Sequence, residues 1–140
     1  MFREIVVGFD GSDPSRRAFE RAVEMARAEG GRVTLVYAFD PVPFTPLEVY
    51  GVAPPTVRST EIERAHKMLQ HAAERADNVK TDVVVETGYP ADVLVETAKA
   101  RKADLVVVGS RGMRAIGRFM LGSVSDRVVH MAPCAVLVVH

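Results

Sequence analysis

The sequence is poor in several residue types, and each shortage excludes a class of protein. It contains one cysteine, Cys134, in 140 residues, which excludes an internal disulfide and a cysteine-rich zinc site. Aromatic residues make up only 6% of the chain, and 18 Lys and Arg residues balance 18 Asp and Glu residues. The balanced charge argues against general electrostatic binding of nucleic acid or of a membrane surface.

Long apolar runs are also missing. No stretch reaches the length that spans a bilayer, and the N-terminus has no basic segment followed by an apolar one. The sequence therefore predicts a cytoplasmic protein without a membrane partner. Because 48% of its 140 residues are hydrophobic, the chain can fill one hydrophobic core, and we expect a single domain over residues 1–140.

Familiar nucleotide and catalytic motifs are absent as well. The pattern G-x-x-x-x-G-K-[ST] does not occur, no lysine lies between Gly109 and Ser125, and the glycine spacing differs from G-x-G-x-x-G. His66 and His71 are too far apart in sequence to share a helix face in the way that metal-binding histidines do. We find no nucleophile–base pair and no P-loop lysine, so the sequence favours a binding protein over an enzyme.

The apolar periodicity predicts strands that alternate with helices. Expected strands are 4–9, 32–39, 81–87, 105–108 and 135–139, and expected helices run from Ser12, Asp13 or Pro14 to about 29, from 60 to about 76, from 90 to about 102 and from about 124 to 131. Such alternation predicts an α/β fold with a doubly wound, mostly parallel five-stranded sheet in the order 3-2-1-4-5 and helices on both faces. In that order the first and fourth strands are neighbours, and ligands bind at their carboxyl ends.

A proline-rich segment follows the second strand. Residues 40–59 hold five of the eight prolines, which excludes a regular helix or a central strand there. A connection of this length in a compact domain is typical of a loop that is functional, mobile or both. The pattern Thr60-x-x-Glu63 is a capping box and predicts that the next helix begins at Thr60.

The functional interpretation depends on the residues that follow the fourth strand. Gly109 and Gly112 come directly after it, and Gly122-Ser123-Val124-Ser125 leads into the last helix. Glycines let the backbone approach an anion, and the first N–H groups of a helix have no partner within it, so this order is typical of a phosphate site. Serine hydroxyls would add donors and arginines would add positive charge, from Ser123, Ser125, Arg111, Arg114 and Arg118. Tight turns and a serine cap are the alternative interpretation.

Asp10 comes just after the first strand, so the order 3-2-1-4-5 places it opposite this glycine loop. A carboxylate there suits a nucleotide ribose or a Mg²⁺ ion bound to phosphate. Alternatively, Asp10 is a turn residue of the helix that starts near Ser12. Because two distant segments of the chain converge on one edge of the sheet, we favour the ligand interpretation.

The spacing Gly109-x2-Gly112-x9-Gly122-Ser123 resembles the ATP-binding signature of the universal stress protein family. Three further segments are similar to that family: residues 5–12 (IVVGFDGS), Gly88-Tyr-Pro90 and Ala132-Pro133-Cys134. The family usually has proline after this cysteine, whereas this chain has Ala135. That difference lies at the entrance to a strand and outside the nucleotide loop.

The resemblance implies a Rossmann-like fold of the adenine nucleotide alpha hydrolase type and an ATP-binding regulatory protein of the stress response. Implied nucleotide contacts are Gly8, Phe9, Asp10, Ala38 at the adenine, Val108, Gly109, Arg111, Gly112, Gly122, Ser123, Val124 and Ser125. Asp10 would reach a metal through a magnesium–nucleotide complex, and no residue has an implied catalytic role. AMP or a cyclic nucleotide as the ligand, and slow hydrolysis of ATP, are the alternatives.

The last predicted strand, Ala135 to Val139, is short and apolar and should lie at an edge of the sheet. An exposed apolar edge strand can pair with another copy of the chain. The resemblance implies the same arrangement, a twofold homodimer built on antiparallel last strands.

Overall fold

The computed structural model describes residues 1–39, 56–111 and 121–140. These residues form five strands and four helices in the predicted alternation. In chain order they are β1 (Glu4–Gly8), α1 (Asp13–Glu29), β2 (Arg32–Phe39), α2 (Thr56–Glu74), β3 (Lys80–Thr87), α3 (Pro90–Arg101), β4 (Leu105–Gly109), α4 (Ser123–Met131) and β5 (Ala135–Val139). Among them, every helix is too short or too polar to cross a lipid bilayer.

All five strands are parallel and lie in the order β3-β2-β1-β4-β5. This confirms the predicted doubly wound α/β fold. At the centre, Val7 of β1 pairs with Leu35 of β2 and with Val107 of β4. The carboxyl ends of β1 and β4 are therefore neighbours, and β5 lies at one edge of the sheet, as predicted.

Each face of the sheet has its own hydrophobic core, because successive side chains of a strand point to opposite faces. α1 and α2 cover one face, and α3 and α4 cover the other. The first core includes Val7, Leu35, Val107, Phe19 and Leu69, and the second includes Val6, Val36, Val106, Leu94 and Val128. Both faces of the central strands are buried, which explains why these strands are continuous apolar runs in the sequence.

α1 begins and ends at signals that are visible in the sequence. The Ser12 hydroxyl accepts a hydrogen bond from the Ser15 N–H at 3.4 Å, and Pro14 occupies the first turn, where a helix needs no N–H. Gly30 follows the last turn with a left-handed φ of 65°. The sequence left the cap open between Ser12 and Asp13, and the structure assigns it to Ser12.

The predicted start of α2 was wrong. This helix begins at Thr56, so Thr60 lies inside it and does not form a capping box. The exclusion of a helix from residues 40–59 is likewise wrong for 56–59, because no proline follows Pro55 and prolines are compatible with the residues that precede a helix. Residues 40–55, the rest of the proline-rich segment, lie outside the described part of the chain.

α2 ends at Glu74, two residues before the predicted end, and the other boundaries differ from the predicted ones by at most one residue. β1 ends at Gly8, although the Phe9 N–H still donates to the Val36 carbonyl at 2.9 Å. β4 runs on through Gly109, which pairs with Val139 of the edge strand. Despite these small shifts, the carboxyl ends of β1 and β4 are neighbours, as predicted.

Asp104, which directly precedes β4, is hydrogen-bonded to the start of β1. Its carboxylate accepts hydrogen bonds from the N–H groups of Glu4 at 2.9 Å and Arg3 at 3.0 Å. These bonds, that from Glu4 first, hold the pKa of Asp104 below its ordinary value. A carboxyl with a lowered folded-state pKa stabilises the fold above its unfolded-state pKa, and the stabilisation is lost as the pH falls through the folded value.

We therefore predict that Asp104→Asn reduces the loss of stability on acidification. Urea unfolding at pH 7 and at pH values below about 4, where aspartate protonates, should show a smaller decline for the variant than for the unmodified protein. Asp77→Asn, which makes the same charge change at an exposed residue after α2, serves as the control. Equal acid-dependent declines in all three proteins would contradict the assignment.

Candidate functional site

The site begins where β1 and β4 end side by side in the middle of the sheet. The chain leaves β1 towards α1 on one face and leaves β4 towards α4 on the other. Such a reversal opens a crevice at the carboxyl edge of a parallel sheet. The turn that starts α1 lies directly against Gly109, so the structure brings the two predicted segments together.

Gly109 is needed for this close approach. A Cβ at residue 109 would lie 2.7 Å from Pro14 Cβ and 2.9 Å from the Pro14 carbonyl carbon, distances that real Cβ atoms essentially never show. Gly8 is less tightly enclosed on the other face, where a Cβ would lie 3.0 Å from Leu94 Cδ1, the end of a flexible side chain. Both glycines therefore have a packing role that is independent of any ligand.

Asp10 forms a turn at the rim of this crevice. Its Oδ1 accepts a hydrogen bond from the Ser12 N–H at 2.9 Å, and Gly11 adopts a φ of 82°. This is the turn role that the sequence offered as the alternative interpretation. It fixes the orientation of the carboxylate at the edge of the site, so the turn role and a ligand role are compatible.

Tyr37, near the end of β2, is a neighbour of this carboxylate that the sequence did not single out. Burial raises the pKa of the Tyr37 phenol, and the negative charges of Glu61 and Asp10 raise it further. The phenol therefore stays neutral and can donate a hydrogen bond at the rim. Its ring also contacts Phe39 edge-to-face, with ring centroids 5.5 Å apart.

On the opposite side of the crevice, hydrogen bonds converge on the main chain of Ser110. The Ser110 carbonyl accepts from the Gly122 N–H at 2.7 Å and from the Ser125 hydroxyl at 3.0 Å. The Ser110 N–H donates to the Val139 carbonyl at 2.7 Å. The end of β4 is thereby joined both to the start of α4 and to the edge strand.

The first turn of α4 presents amide groups without a helical partner. Its N-cap residue is Gly122, which has no side chain to accept from them, and the first helical bond runs from the Asp126 N–H to the Gly122 carbonyl at 2.9 Å. The preceding amides belong to Ser123, Val124 and Ser125. Together with the helix dipole they make a local preference for an anion.

The two predicted serine hydroxyls have different roles. Ser125 is buried, and its hydroxyl lies within hydrogen-bond distance of the Ser110 and Gly122 carbonyls, at 3.0 and 3.1 Å. It is used within the protein, so the Ser125 amide is the group left for a ligand. Ser123 is exposed at the start of the helix, and its hydroxyl remains a predicted donor.

Phe9 and Val108 can meet a ligand only through their main-chain atoms. Phe9 is buried in the first core, where its ring packs edge-to-face on Phe19 at 6.1 Å. Val108 is buried in the second core. Any contact of Phe9 or Val108 with the nucleotide would therefore be made by backbone atoms at the strand ends.

Ala38 and Val124 are partly buried against the second core, and Arg111 is half-buried just after Ser110. Ala38 lies near the end of β2 and Val124 in the first turn of α4, which puts both at the carboxyl side of the sheet. The predictions for Gly112, Arg114 and Arg118 lie outside the described residues.

Ser110 also carries a hydroxyl that the sequence did not single out. The residue is 2% exposed, and its Oγ has no hydrogen-bond partner among the residues that the structure describes. Folded proteins leave few buried polar atoms unpaired. The only sequence signal was a serine between two glycines of the loop, which is too common to be informative alone.

Within the ranges 1–39, 56–111 and 121–140, no three His, Cys, Asp or Glu side chains are grouped to hold an ion. A single carboxylate such as Asp10 suits Mg²⁺ that arrives already bound to phosphates, because Mg²⁺ keeps several waters and few protein ligands.

Comparison with known proteins gives the same fold and a consistent family. Residues 1–140 match the model of the Universal stress protein family. A Thermus aquaticus relative, named Universal stress protein in QAH/OAS sulfhydrylase 3′ region, is 37% identical over 139 residues, with 99% of each chain covered.

Two solved structures extend the comparison. A universal stress protein in complex with cAMP is 32% identical, with a TM-score of 0.73 over 99% of this chain and 97% of that one. Hypothetical protein MJ0577 shares the fold, with a TM-score of 0.85 at 20% identity over 99% and 96% of the two chains.

Proposed function

This chain belongs to the universal stress protein family, and from that premise we propose that it binds an adenine nucleotide, with ATP as the ligand, in a regulatory role in the stress response. The observation that carries the proposal is the uncapped first turn of α4, held beside the end of β4 by Ser110. A relative that is 32% identical has been solved in complex with cAMP, which supports an adenine nucleotide as the ligand class.

The phosphates would bind at the start of α4. There the amides of Ser123, Val124 and Ser125 offer donors, and the helix dipole favours negative charge. Gly122, the N-cap residue, has no side chain that could accept hydrogen bonds from these amides. The described residues of this turn thus have the donor set and the small size that a polyphosphate requires.

The nucleoside would occupy the crevice between the ends of β1, β2 and β4. Gly8, Phe9 and Val108 would contribute main-chain atoms, and Ala38 would contact the adenine. Asp10, oriented by its bond to the Ser12 N–H, would face the ribose or a Mg²⁺ ion carried by the phosphates.

Equilibrium binding of ATP to the purified protein, with and without Mg²⁺, tests this proposal. We expect saturable binding of one ATP per chain, and weaker binding of GTP because the proposed ligand is an adenine nucleotide. Failure to saturate at millimolar ATP in the presence of Mg²⁺ would reject it.

A cyclic nucleotide or AMP is the second candidate ligand, favoured by the cAMP complex of the relative. The candidates differ in how many phosphates meet the α4 amides. Competition among ATP, AMP and cAMP for one site will rank them, and mass spectrometry of the nucleotide that co-purifies with the protein gives an independent answer. Tighter binding of cAMP than of ATP would assign the site to the cyclic nucleotide.

We further propose a homodimer built on β5. This strand lies at the edge of the sheet, and its apolar residues are only partly covered. The Val139 carbonyl accepts from Ser110 and so points to β4. Because main-chain groups alternate in direction along a strand, those of Val138 point to the uncovered edge.

A pair of proline variants tests this dimer. Val138→Pro removes an outward N–H and should give a monomer by light scattering while the fold is retained, since proline is tolerated where the N–H of an edge strand faces outward. Leu137→Pro removes an N–H directed at β4 and should instead destabilise the fold. A Val138→Pro protein that stays dimeric would place the contact elsewhere.

A further inference from the structure

Ser110 combines a fully bonded main chain with an unpaired side chain. Its N–H and carbonyl bind Val139, Gly122 and Ser125 at 2.7 to 3.0 Å. Within residues 1–39, 56–111 and 121–140, its Oγ has no hydrogen-bond partner, although the residue is only 2% exposed. A buried hydroxyl has given up its hydrogen bonds to water, so leaving it unpaired lowers the stability of the ligand-free protein.

The position of this hydroxyl follows from the strand that precedes it. A Cβ at Gly109 would point at Pro14, on the α1 face of the sheet. The Ser110 N–H bond to Val139 continues the β4–β5 ladder by one residue, so the Ser110 side chain lies on the opposite face, with α4. The bonds from Gly122 and Ser125 place the Ser110 carbonyl against the first turn of that helix, so the side chain lies on the α4 side of the sheet and close to that turn.

We propose that the Ser110 hydroxyl is a phosphate ligand, donating a hydrogen bond to an oxygen of the nucleotide held at the start of α4. This inference rests on the proposed function. A hydroxyl beside unpaired amides meets an acceptor more readily than a donor, because those amides attract negative charge. Binding the nucleotide would supply the partner that the ligand-free protein lacks.

If Ser110 has this role, replacing it with alanine should raise the stability of the ligand-free protein and lower its affinity for ATP. Ser110→Ala should raise the thermal unfolding midpoint of the ligand-free protein by about 2–4 °C, because it removes an unpaired buried polar atom. The same variant should bind ATP about tenfold more weakly, or worse, because a hydrogen bond to a charged acceptor is lost. Adenosine, which has no phosphate, should bind both proteins equally.

Ser15→Ala is the matched control for stability. Ser15 is also buried, but its hydroxyl donates to the Ser12 carbonyl at 2.9 Å, so this variant should unfold at a lower temperature. The three proteins are compared by thermal unfolding without ligand and by titration with ATP and adenosine.

The outcomes separate the two proposals. A lower unfolding midpoint for Ser110→Ala would show that the hydroxyl has a structural partner such as a buried water, and would overturn the phosphate contact alone. Equal ATP affinities, or equal losses for ATP and adenosine, would do the same. If the unmodified protein bound neither compound, the proposed function itself would fail and the phosphate contact with it.

Discussion

Gly109→Ala is expected to lower the free energy of unfolding by about 3 kcal/mol, the upper part of the range for overpacking in a close-packed region. The added Cβ would meet Pro14 Cβ at 2.7 Å and the Pro14 carbonyl carbon at 2.9 Å, and Ser15 N at 3.0 Å. These atoms belong to the first turn of α1 and to a proline ring, so none can move alone. The helix would have to shift away from β4 and from the core beneath it.

Thermal and urea unfolding will measure this loss, which corresponds to a fall in unfolding midpoint of about 10 °C. Gly122→Ala is the control within the same loop. Its Cβ would lie 3.3 Å from the Ser110 carbonyl oxygen, and its φ of −60° suits any residue. We expect a cost of about 1 kcal/mol or less for this N-cap substitution, and equal costs at both glycines would contradict the packing role of Gly109.

The sheet could be predicted because its strands are buried on both faces and separated by amphipathic helices. Apolar runs such as 105–108, joined by helix-length segments, permit few topologies other than a parallel sheet with helices on both faces. The caps of α1 were equally visible, since Ser12, Pro14 and Gly30 each act on the adjacent turn. Signals of this kind depend only on residues that are close in sequence, so they can be recognised without the structure.

The start of α2 could not be predicted from its local pattern. Thr60 and Glu63 have the spacing of a capping box, but the same spacing occurs inside a helix, where residues three apart share a face. Only the conformation of Thr56 and the residues after it distinguishes the two. The same residue spacing is therefore compatible with the start of a helix and with its interior, and the sequence alone does not distinguish them.

The finer roles at the site were also hidden, because they depend on contacts between distant residues. Gly109 was interpreted as a ligand glycine, yet its close neighbour is Pro14, near the other end of the chain. Ser125 was expected to add a hydroxyl donor at the phosphates, and the sequence could not show that this hydroxyl lies 3.0 Å from the Ser110 carbonyl. Ser110 drew no attention, since only the folded chain shows that its hydroxyl is buried and lacks a partner in the described part of the structure.

Ser123→Glu is expected to weaken ATP binding by about 100-fold or more. Ser123 is exposed in the first turn of α4, where the proposed site holds the phosphates. A carboxylate about 5 Å from one phosphate charge, at an effective dielectric constant of about 20, is repelled by about 3 kcal/mol, which is a factor of about 100 in affinity. The same carboxylate favours the ligand-free helix by about 0.5 kcal/mol through the helix dipole.

Ser123→Gln separates charge from size in this experiment. The glutamine is similar in volume to glutamate but neutral, so the Gln variant should lose much less ATP affinity than the Glu variant. Because the effect is electrostatic, the difference between the two variants should shrink at 1 M salt, where screening acts over about 3 Å. Adenosine should bind both variants as it binds the unmodified protein. Unchanged ATP affinity in Ser123→Glu would place the phosphates away from α4, and the uncapped first turn would then no longer support a nucleotide at this edge of the sheet.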